Sequence, residues 1–364
     1  MADKPVVVVG AGPAGLCAAI ELKKAGAPVV LLDENDKPGG QLFKQIHKFF
    51  GSREHKAGTR GFDIGTGLLD ESLRLGIDVR LKTEVVGVDP GLRVWAVEDR
   101  GRSYLLEASR LVIATGATEN ALSFPGWTLP GVMTAGCAQT LVNVYRVLPG
   151  KRVLIIGSGN VGVIVGYQLM QAGAEVVGVV EAAPTLGGYG VHTAKLARAG
   201  VPFHVRTTVA RAEGGESLER ATIVGLDDSF KPLPGTERTL EVDTICLAVG
   251  LTPSVELPSL AGCATTYVPE LGGRMPLHDE YMRSSVEEVY VVGDTAGVEE
   301  ASTAMEEGRL AGIHAAWSLG YLDDAAMEAG AAETRRRLDA LRQGVFGKKR
   351  FDAKSRVLEE SHNR

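Results

Sequence analysis

The sequence contains few cysteines and none in a metal-binding pattern. Its 364 residues include only four, which are widely separated: Cys17, Cys137, Cys246 and Cys263. No two of them have the spacing of zinc or iron–sulfur ligands, which excludes such a centre held by this chain alone, and we expect no metal site. So low a cysteine content is also typical of a cytoplasmic protein.

Long apolar runs and an excess of positive charge are absent as well. No apolar segment reaches the roughly 18 residues of a transmembrane helix, and the first residues do not resemble a signal peptide. The formal net charge of −6 argues against a nucleic-acid-binding protein. We therefore expect a cytoplasmic protein without a membrane span, long enough for two domains.

Glycine, by contrast, is abundant, and its arrangement near the start is informative. The valine run Val6–Val9 predicts a buried strand and is followed by Gly10–Gly15, with glycines at its first, third and sixth positions. An Ala- and Leu-rich helix and a second apolar run, Val29–Leu32, then lead to Asp33. This order is the βαβ dinucleotide-binding fingerprint, in which the acidic residue accepts hydrogen bonds from a ribose. A structural turn that binds nothing is the alternative.

The same pattern returns in the middle of the chain. A strand at Arg152–Ile156 precedes Gly157–Gly162, and a helix and the strand Glu175–Val180 lead to Glu181. Asp33 lies 23 residues after Gly10, and Glu181 lies 24 after the first glycine of the second motif. The sequence therefore predicts two dinucleotide folds, although the second could keep its shape without binding a nucleotide.

Other predicted elements connect and extend these two folds. Buried strands end in Ala114-Thr115-Gly116, in Gly250 and in Gly293-Asp294, the last followed by a helix over 301–319. A single strand is predicted from His204 to Ala212. After residue 322 we expect one charged helix, whose Arg335–Arg337 cluster forms a solvated face, and then a polar stretch.

Four motifs in this order make the chain resemble the two-dinucleotide-binding-domain flavoproteins, the class of thioredoxin reductase and glutathione reductase, over about residues 5–322. They are Gly10-x-Gly12-x-x-Gly15, Ala114-Thr115-Gly116, Gly157-x-Gly159-x-x-Gly162 and Gly293-Asp294. The resemblance implies an α/β fold with a discontinuous FAD domain (1–118 and 273–322) and an inserted NAD domain (149–250). Residues 119–148 and 251–272 would connect them, and 323–364 would form a charged helix and tail.

The resemblance also implies which residues hold FAD. Asp33 or Glu34 would bind the adenosine ribose, the backbone near Val85 would meet the adenine, and Asp294 would bind the ribityl chain. The remaining expected FAD contacts come from the glycine turns, the flavin side and the start of the last helix: Gly10, Gly12, Pro13, Ala14, Gly15, Gly40, Gln41, Ala114, Thr115, Gly116, Gly293, Ala301, Ser302 and Thr303. A helix N-terminus is partly positive, which would stabilise negative charge on a reduced flavin.

By the same resemblance, the second motif binds NAD(H). The expected contacts are Gly157, Ser158, Gly159, Asn160, Val161, Gly162, Glu181 and Gly250. The carboxylate of Glu181 suits two free ribose hydroxyls and would repel a 2′-phosphate, and Ala182-Ala183-Pro184 supplies no arginine for that phosphate. These residues favour NAD over NADP.

The chain departs from the disulfide reductases of this class. No cysteine lies between Gly39 and Phe50, and Cys137 has Thr140 where a C-x-x-C partner would stand. A single thiol cannot form the dithiol that passes two electrons onward, so we do not expect disulfide reduction.

A narrower resemblance comes from Pro130–Gly136 and from Leu148–Val153, which leads into the second motif. These segments are similar to the FAD/NAD-type subunit of heteromeric dehydrogenases that oxidise proline, hydroxyproline, opines or sarcosine. The resemblance implies a second flavoprotein subunit that oxidises a small amine or amino acid, and an iron–sulfur or ferredoxin-like partner. The alternatives are a stand-alone NADH-dependent flavin oxidoreductase with a small acceptor, and a mainly structural nucleotide-binding subunit.

Hydride transfer to or from a flavin needs no side-chain nucleophile, and no catalytic triad is evident. Lys44 and His47 are the candidates for catalytic groups at the flavin edge. They lie in the segment Lys44–Arg60, which is also consistent with a surface loop or a subunit contact. His192 could line a nicotinamide cleft or be a structural histidine.

Overall fold

The computed structural model describes residues 4–37, 39–49, 52–344 and 347–363. Phe50 and Arg364, which fall in the predicted basic segment and tail, lie outside the described residues. The chain divides into two compact units, the first formed by residues 1–118 together with 252–364 and the second by 119–251. No helix in the described ranges is both long enough and apolar enough to cross a bilayer.

The first unit opens with the predicted βαβ element, which is confirmed in place and extent. Strands β1 (Val6–Val9) and β2 (Val29–Leu32) pair in parallel around helix α1 (Pro13–Lys24). Both strands are buried throughout, as a valine- and leucine-rich strand in a parallel sheet should be. The unit continues with α2 (Gly61–Arg74), β3 (Asp78–Arg80), β4 (Thr83–Asp89), β5 (Arg93–Glu98), β6 (Arg102–Glu107), β7 (Arg110–Ile113) and β8 (Ala117–Glu119).

The second unit repeats this architecture. Its parallel sheet has the strand order β12-β11-β10-β16-β9, and an antiparallel sheet has the order β13-β14-β15. The elements, in chain order, are β9 (Val132–Thr134), α3 (Ala135–Asn143), β10 (Arg152–Ile156), α4 (Asn160–Gln171), β11 (Glu175–Val180), α5 (Gly190–Arg198), β12 (Phe203–His204), β13 (Thr207–Glu213), β14 (Arg220–Gly225), β15 (Arg238–Glu241) and β16 (Thr244–Leu247).

The chain then returns to the first unit and completes it. Strand β20 (Val289–Val291) pairs with β7 at the edge of the parallel sheet, which has the order β20-β7-β1-β2-β3. The elements of this return are β17 (Leu251–Pro253), α6 (Glu256–Leu260), β18 (Thr265–Val268), β19 (Gly273–Pro276), β20 (Val289–Val291), α7 (Ala301–Ser318), α8 (Asp324–Leu341) and α9 (Lys348–His362).

Two sequence predictions were wrong in local detail. The single strand predicted from His204 to Ala212 is two strands, because Arg206 adopts φ +49° and turns the chain between β12 and β13. The polar stretch predicted after the charged helix is instead the helix α9, whose Ala353 and Val357 are buried.

The arginine cluster of α8 is not a solvated face. The Arg335 guanidinium lies 4.3 Å from the centre of the Tyr281 ring, and Arg337 pairs with the buried carboxylate of Glu306. Only Arg336 is exposed, with Glu333 as its partner. The prediction failed because a run of like charges does not show which of its members faces the core.

Candidate dinucleotide-binding sites

The three glycines of the first motif are glycines for different reasons. Gly10 has φ +104°, and a Cβ there would lie 2.3 Å from the carbonyl oxygen of Ala114; a Cβ on Gly15 would lie 1.9 Å from that of Gly10. At Gly12, however, the nearest atom would be Gly40 Cα at 4.0 Å. Packing therefore requires the first and third glycines, while the middle one borders open space at the start of α1.

The second motif has the same geometry. A Cβ on Gly157 (φ +102°) would lie 2.2 Å from the carbonyl oxygen of Ala248, and one on Gly162 would lie 2.3 Å from that of Gly157. A Cβ on Gly159 would meet nothing within 4 Å. Each middle glycine thus leaves bare backbone at a helix N-terminus without a side-chain cap, an arrangement that fits a pyrophosphate.

The acidic residue after each motif holds the glycine turn in place. Asp33 is buried, and its Oδ2 accepts a hydrogen bond from the Ala11 N–H (2.6 Å) while Oδ1 accepts two from Asn35 (2.8 and 2.9 Å). In the second unit, Glu181 Oε2 accepts from the N–H (2.9 Å) and hydroxyl (2.5 Å) of Ser158. This pinning was not foreseen from the sequence.

Both carboxylates keep some capacity for a ligand. Glu181 Oε1 accepts one further bond, from the Ala183 N–H at 2.9 Å, so Glu181 and Asp33 each accept three bonds from the residues that the structure describes. A carboxylate has about four acceptor sites, which leaves one on each for a ribose hydroxyl. The neighbouring Glu34 is exposed, and partial burial together with the charges of Asp33 and Glu84 raises its pKa.

Two consecutive glycines, which follow the acidic residue, pack against each motif. The Gly39 N–H donates to the Ala11 carbonyl (2.7 Å), and a Cβ on Gly40 would lie 2.9 Å from Gly12 Cα. Gly40 begins a short 3₁₀ helix, Gly40–Lys44, which includes Gln41. The structure thus brings Gly40 beside the middle glycine of the first motif.

The corresponding pair in the second unit, Gly187-Gly188, was not assigned to the site from the sequence. The Gly187 N–H donates to the Ser158 hydroxyl (2.9 Å), and a Cβ on Gly188 would lie 2.7 Å from the Ser158 carbonyl oxygen. A signal existed, because Gly187 follows Glu181 by six residues, just as Gly39 follows Asp33. The residue after this glycine pair, Tyr189, donates its backbone N–H to Asn160 Oδ1 (2.9 Å).

The distance in sequence from the first glycine to the acidic residue is one residue longer in the second motif, and the structure shows a β-bulge there. In the pairing of β10 with β11, Val153 faces Val176 but Leu154 faces Gly178, so Val177 is inserted. One inserted residue accounts for the difference between the intervals of 23 and 24, while leaving Glu181 at the end of its strand.

Two further motifs meet at the carboxyl ends of β7 and β20. The Thr295 hydroxyl accepts from the Gly116 N–H (2.7 Å) and lies 3.2 Å from the Thr115 hydroxyl oxygen. A Cβ on Gly293, which has φ +66°, would lie 3.0 Å from Ala14 Cβ. The buried Thr295 was missed from the sequence, although it directly follows the Gly293-Asp294 motif.

Asp294 has a strongly perturbed pKa. Burial, which is the largest cause, and the charges of Glu307, Glu300 and Glu299 together raise it from 3.8 to about 7, against the opposing effect of a hydrogen bond from the Glu299 N–H at 3.3 Å. The carboxyl group is therefore close to half-protonated at neutral pH. A hydroxyl that donates to this group would stabilise its ionised form.

The other expected FAD contacts take the following places. The Thr83 N–H donates to the Asp33 carbonyl (2.8 Å), so β4, with Val85 half-buried, begins beside the end of β2. Helix α7 begins at Ala301, followed by Ser302, and has no side-chain cap. The Thr303 hydroxyl donates to the Glu300 carbonyl (2.6 Å), and the uncapped first turn of α7 presents its backbone N–H groups.

Lys44 and His47 are both half-buried, and the segment around them folds back on the first unit. The His47 ring stacks on Phe49 with the centroids 5.9 Å apart. His55 is buried, and its Nε2 lies 3.1 Å from Glu306 Oε1 of α7 while its Nδ1 lies 2.7 Å from the Ser52 hydroxyl.

In the second unit, contacts within the protein fix the positions of Gly250 and His192. Gly250 has φ +105°, and its carbonyl accepts from the Asn120 N–H (3.0 Å). His192 is buried in α5, with its ring stacked on Tyr189 at 6.3 Å between centroids. Val161, in contrast, is exposed on α4 beside the middle glycine.

The cysteines do not form a dithiol. All four are free, and only Cys137 is exposed. Burial raises the pKa of Cys17 to about 11 and that of Cys246 to about 12, so both remain protonated at neutral pH. Over the described ranges, no group of three or more His, Cys, Asp or Glu side chains is arranged to hold a metal ion.

Comparison with known proteins places this geometry in context. The family model described as pyridine nucleotide-disulphide oxidoreductase matches residues 4–308. One of the subunits of opine oxidase from Agrobacterium tumefaciens (strain Ach5) is 30% identical over 337 residues, covering 85% of this chain and 65% of that protein. Hydrogen cyanide synthase subunit HcnB of Pseudomonas aeruginosa is 31% identical over 374 residues, covering 95% and 78%. The chain thus spans less than two thirds of the opine oxidase protein.

Solved structures show the same fold. L-proline dehydrogenase from P. horikoshii superposes with a TM-score of 0.69 at 24% identity, covering 93% of this chain and 58% of that one. Thioredoxin reductase of T. acidophilum superposes with a TM-score of 0.69 at 22% identity, covering 86% and 98%. The predicted α/β fold with two Rossmann-type parallel sheets is confirmed.

Proposed function

The chain belongs to the pyridine nucleotide-disulphide oxidoreductase family, whose members are FAD- and NAD(P)-dependent oxidoreductases, and we propose that its first unit binds FAD and its second NAD(H). The observation that carries this proposal is the bare backbone at Gly12 and Gly159. Each lies at the start of a helix, beside an acidic residue that keeps one acceptor site for a ribose.

For the FAD site, we assign the adenosine ribose to Asp33 or Glu34 and the pyrophosphate to the first glycine motif. Asp294 and the start of α7 take the ribityl chain and the pyrimidine end of the flavin. The support is that these groups belong to strand and helix ends at one edge of one parallel sheet, where such sheets bind ligands.

For the second site, we propose NAD rather than NADP. Glu181 presents a carboxylate where a 2′-phosphate would lie, and the three residues after it carry no cation. Arg206 comes near through its backbone, whose N–H donates to the Ala183 carbonyl at 3.1 Å. Its guanidinium, however, is paired with Asp228.

In this proposal the protein's part in the reaction is to bind the flavin, to orient it and to polarise it. FAD, when bound, supplies the hydride chemistry. The α7 N-terminus offers N–H donors and a partly positive helix end to the pyrimidine side of the flavin, where reduction adds negative charge. Asp294 accepts from a hydroxyl and fixes the cofactor's orientation. Lys44 and His47 are proposed as proton or substrate-steering groups at the flavin edge.

We further propose that the chain is the electron-relaying subunit of a heteromeric amino-acid or amine dehydrogenase in the cytoplasm. Support comes from the relatives, which are named as subunits of opine oxidase and hydrogen cyanide synthase. In this proposal a second flavoprotein would oxidise the amine, and an iron–sulfur or ferredoxin-like protein would carry electrons. Disulfide reduction is not proposed, because the chain lacks a dithiol.

The test compares the isolated chain with the complex purified from its native cells. The chain alone should be reduced by NADH but not by proline, sarcosine or an opine, whereas one of these amines should bleach the flavin in the complex. NADH turnover with a small acceptor by the chain alone, with no co-purifying flavoprotein, would favour the stand-alone oxidoreductase. Nucleotide binding without any flavin reduction would favour a structural subunit.

A further inference from the structure

A buried lysine of the last helix contacts the turn that carries Asp294. Lys354 of α9 is 3% exposed, and its Nζ lies 2.9 Å from the Ala296 carbonyl oxygen, 2.8 Å from Glu307 Oε1 and 3.4 Å from His278 Nε2. An ammonium group has three donors, and these three acceptors use all of them. The site around Lys354 is therefore fully satisfied rather than a chance burial of charge.

His278 is present in this cluster as an acceptor. Its Nδ1 lies 2.9 Å from the Asp279 carbonyl oxygen, which can only accept, so the ring proton is on Nδ1 and Nε2 faces Lys354 without one. Burial and the charge of Lys354 lower the pKa of His278 to about 3. The histidine is neutral at any pH near 7.

Lys354 fixes both ends of the Asp294 turn, a 3₁₀ turn over Gly293–Ala296. At the far end it binds the Ala296 carbonyl directly. At the near end the Gly293 N–H donates to Glu307 Oε2 (3.0 Å), while Lys354 binds the other oxygen of the same carboxylate. Asp294 lies between these two fixed points.

The charges around the turn are balanced. Arg342 of α8 binds Glu307 at 2.7 Å and Glu299 at 2.6 Å, so two carboxylates face two cations, with neutral His278 beside them. Loss of Lys354 would leave one uncompensated negative charge among the carboxylates that already raise the pKa of Asp294.

We propose that Lys354 is a positioning residue of the flavin site, acting on Asp294 through the 293–296 turn and through Glu307. The proposal rests on the assignment of Asp294 to FAD made above. It goes beyond the family resemblance, because Lys354 and Arg342 both lie after residue 308, where the family model ends. The C-terminal helices are then part of the cofactor site and not an appended tail.

The direction of the effect follows from charge. A reduced flavin carries more negative charge than an oxidised one, so an uncompensated carboxylate nearby disfavours the reduced form. Removing Lys354 should therefore weaken binding of FAD, and weaken binding of its reduced form more.

The test uses the full chain with Lys354→Met, and Arg356→Met as the matched control. Arg356 is on the same helix but exposed, and it pairs with Glu270. Apoprotein is titrated with FAD, and the midpoint potential of bound FAD is measured against a reference dye. We expect Lys354→Met to raise the FAD Kd at least tenfold and to lower the midpoint potential by about 30 mV, the equivalent of a tenfold change for two electrons. Arg356→Met should change neither.

A second variant separates positioning from folding, because a buried carboxylate without its cation is strongly destabilising. Lys354→Met combined with Glu307→Gln removes the uncompensated charge. We expect it to recover the melting temperature and the midpoint potential, while the FAD Kd stays raised because Ala296 has lost its donor. Folded variants that bind FAD with the unaltered Kd and potential would overturn the proposal. Unaltered protein that binds no FAD would instead refute the proposed function.

Discussion

Gly12 and Gly159 are glycines that no contact within the protein requires. A Cβ atom at either position would meet no protein atom closer than 4.0 Å, although both positions lie at crowded strand-to-helix turns. What distinguishes them from other open glycines, such as Gly67, is that each is the uncapped start of a helix after a parallel strand, a place that favours an anion. The proposed phosphate sites are thus inferred from the space around two residues.

We predict that Gly159→Val abolishes reduction by NADH and leaves bound FAD in place. Its two methyl groups would occupy the space proposed for the pyrophosphate, while the packing of the second unit is unaffected. The measurement is anaerobic flavin bleaching together with the FAD content of the purified variant.

The control for this variant is Gly67→Val, at an exposed position of α2 where a Cβ also meets nothing within 4 Å. It should be reduced by NADH at the unaltered rate. Normal reduction of the Gly159→Val protein would show that no nucleotide approaches that backbone.

We predict that Asp294→Asn stabilises the apoprotein while weakening FAD binding. The pKa of Asp294 is raised from 3.8 to about 7, so folding disfavours the ionised group. Apoprotein stability should therefore fall as the pH rises from about 4 to 7 and level off above that, by up to about 4 kcal/mol. The amide removes this pH-dependent loss but cannot accept a hydroxyl as strongly.

The measurement is the apoprotein melting temperature of both proteins at pH 5 and pH 8, followed by FAD titration. The variant's advantage should be larger at pH 8. An advantage that is equal at the two pH values, or FAD affinity that does not change, would contradict the role given to Asp294.

Residue types could be predicted from the sequence better than their bonds. The spacing identified Asp33 and Glu181 as the acidic ends of the two motifs. That each carboxylate pins its own glycine turn, to Ala11 and to Ser158, depends on side-chain geometry that spacing does not contain. Thr295 was missed for the same reason, because its function is a hydrogen bond to Gly116, distant in sequence.

At the scale of elements, long periodic segments were predictable and local irregularities were not. The strands and helices of both βαβ motifs lie where their apolar runs predicted. The bulge at Val177 and the left-handed backbone conformation of Arg206 could not be predicted from the sequence, because both are backbone features set by strand pairing. Helix α9 was missed because its few buried residues are spread through a polar sequence.

One element that sequence reasoning left ambiguous is the segment 44–60. We predict that His55→Ala speeds trypsin cleavage at the exposed Arg53 and Lys56 about tenfold, because the segment loses the hydrogen bond of His55 to Glu306 of α7 and the internal bond of His55 to Ser52. The measurement is limited proteolysis of the folded protein, read by mass spectrometry.

The neighbouring exposed residue offers a control, since Glu54→Ala should leave the cleavage rate unchanged. Equal rates for His55→Ala and the unaltered protein would mean that the contact with α7 does not hold the segment.

At the scale of the whole molecule, the same structural arrangement occurs twice in the chain. Each unit has a parallel sheet, a glycine motif with an open middle position, an acidic residue that pins the turn and a glycine pair that packs against it. The sheet, the glycine motif and the acidic residue could be predicted, because they leave a fixed spacing in the sequence, but the hydrogen bonds from the glycine turn to that residue could not. The glycine pair of the second unit repeats the spacing of the first pair, and its contact with Ser158 made its place in the site evident.

The family assignment and the subunit proposal rest on different grounds. The family follows from a model match over residues 4–308. The proposed partners follow from the names of relatives, and this chain covers 65% of one and 78% of the other. A test of the nucleotide sites therefore has to come before a search for partners.

The most direct test is an anaerobic absorbance titration of the purified chain, first with NADH and then, in a fresh sample, with NADPH. The account predicts an oxidised-flavin spectrum that one equivalent of NADH bleaches, with NADPH far less effective because Glu181 disfavours a 2′-phosphate. A flavin that neither nucleotide reduces would contradict the NAD(H) site of the second unit. A purified chain that neither contains nor binds flavin would contradict the central claim.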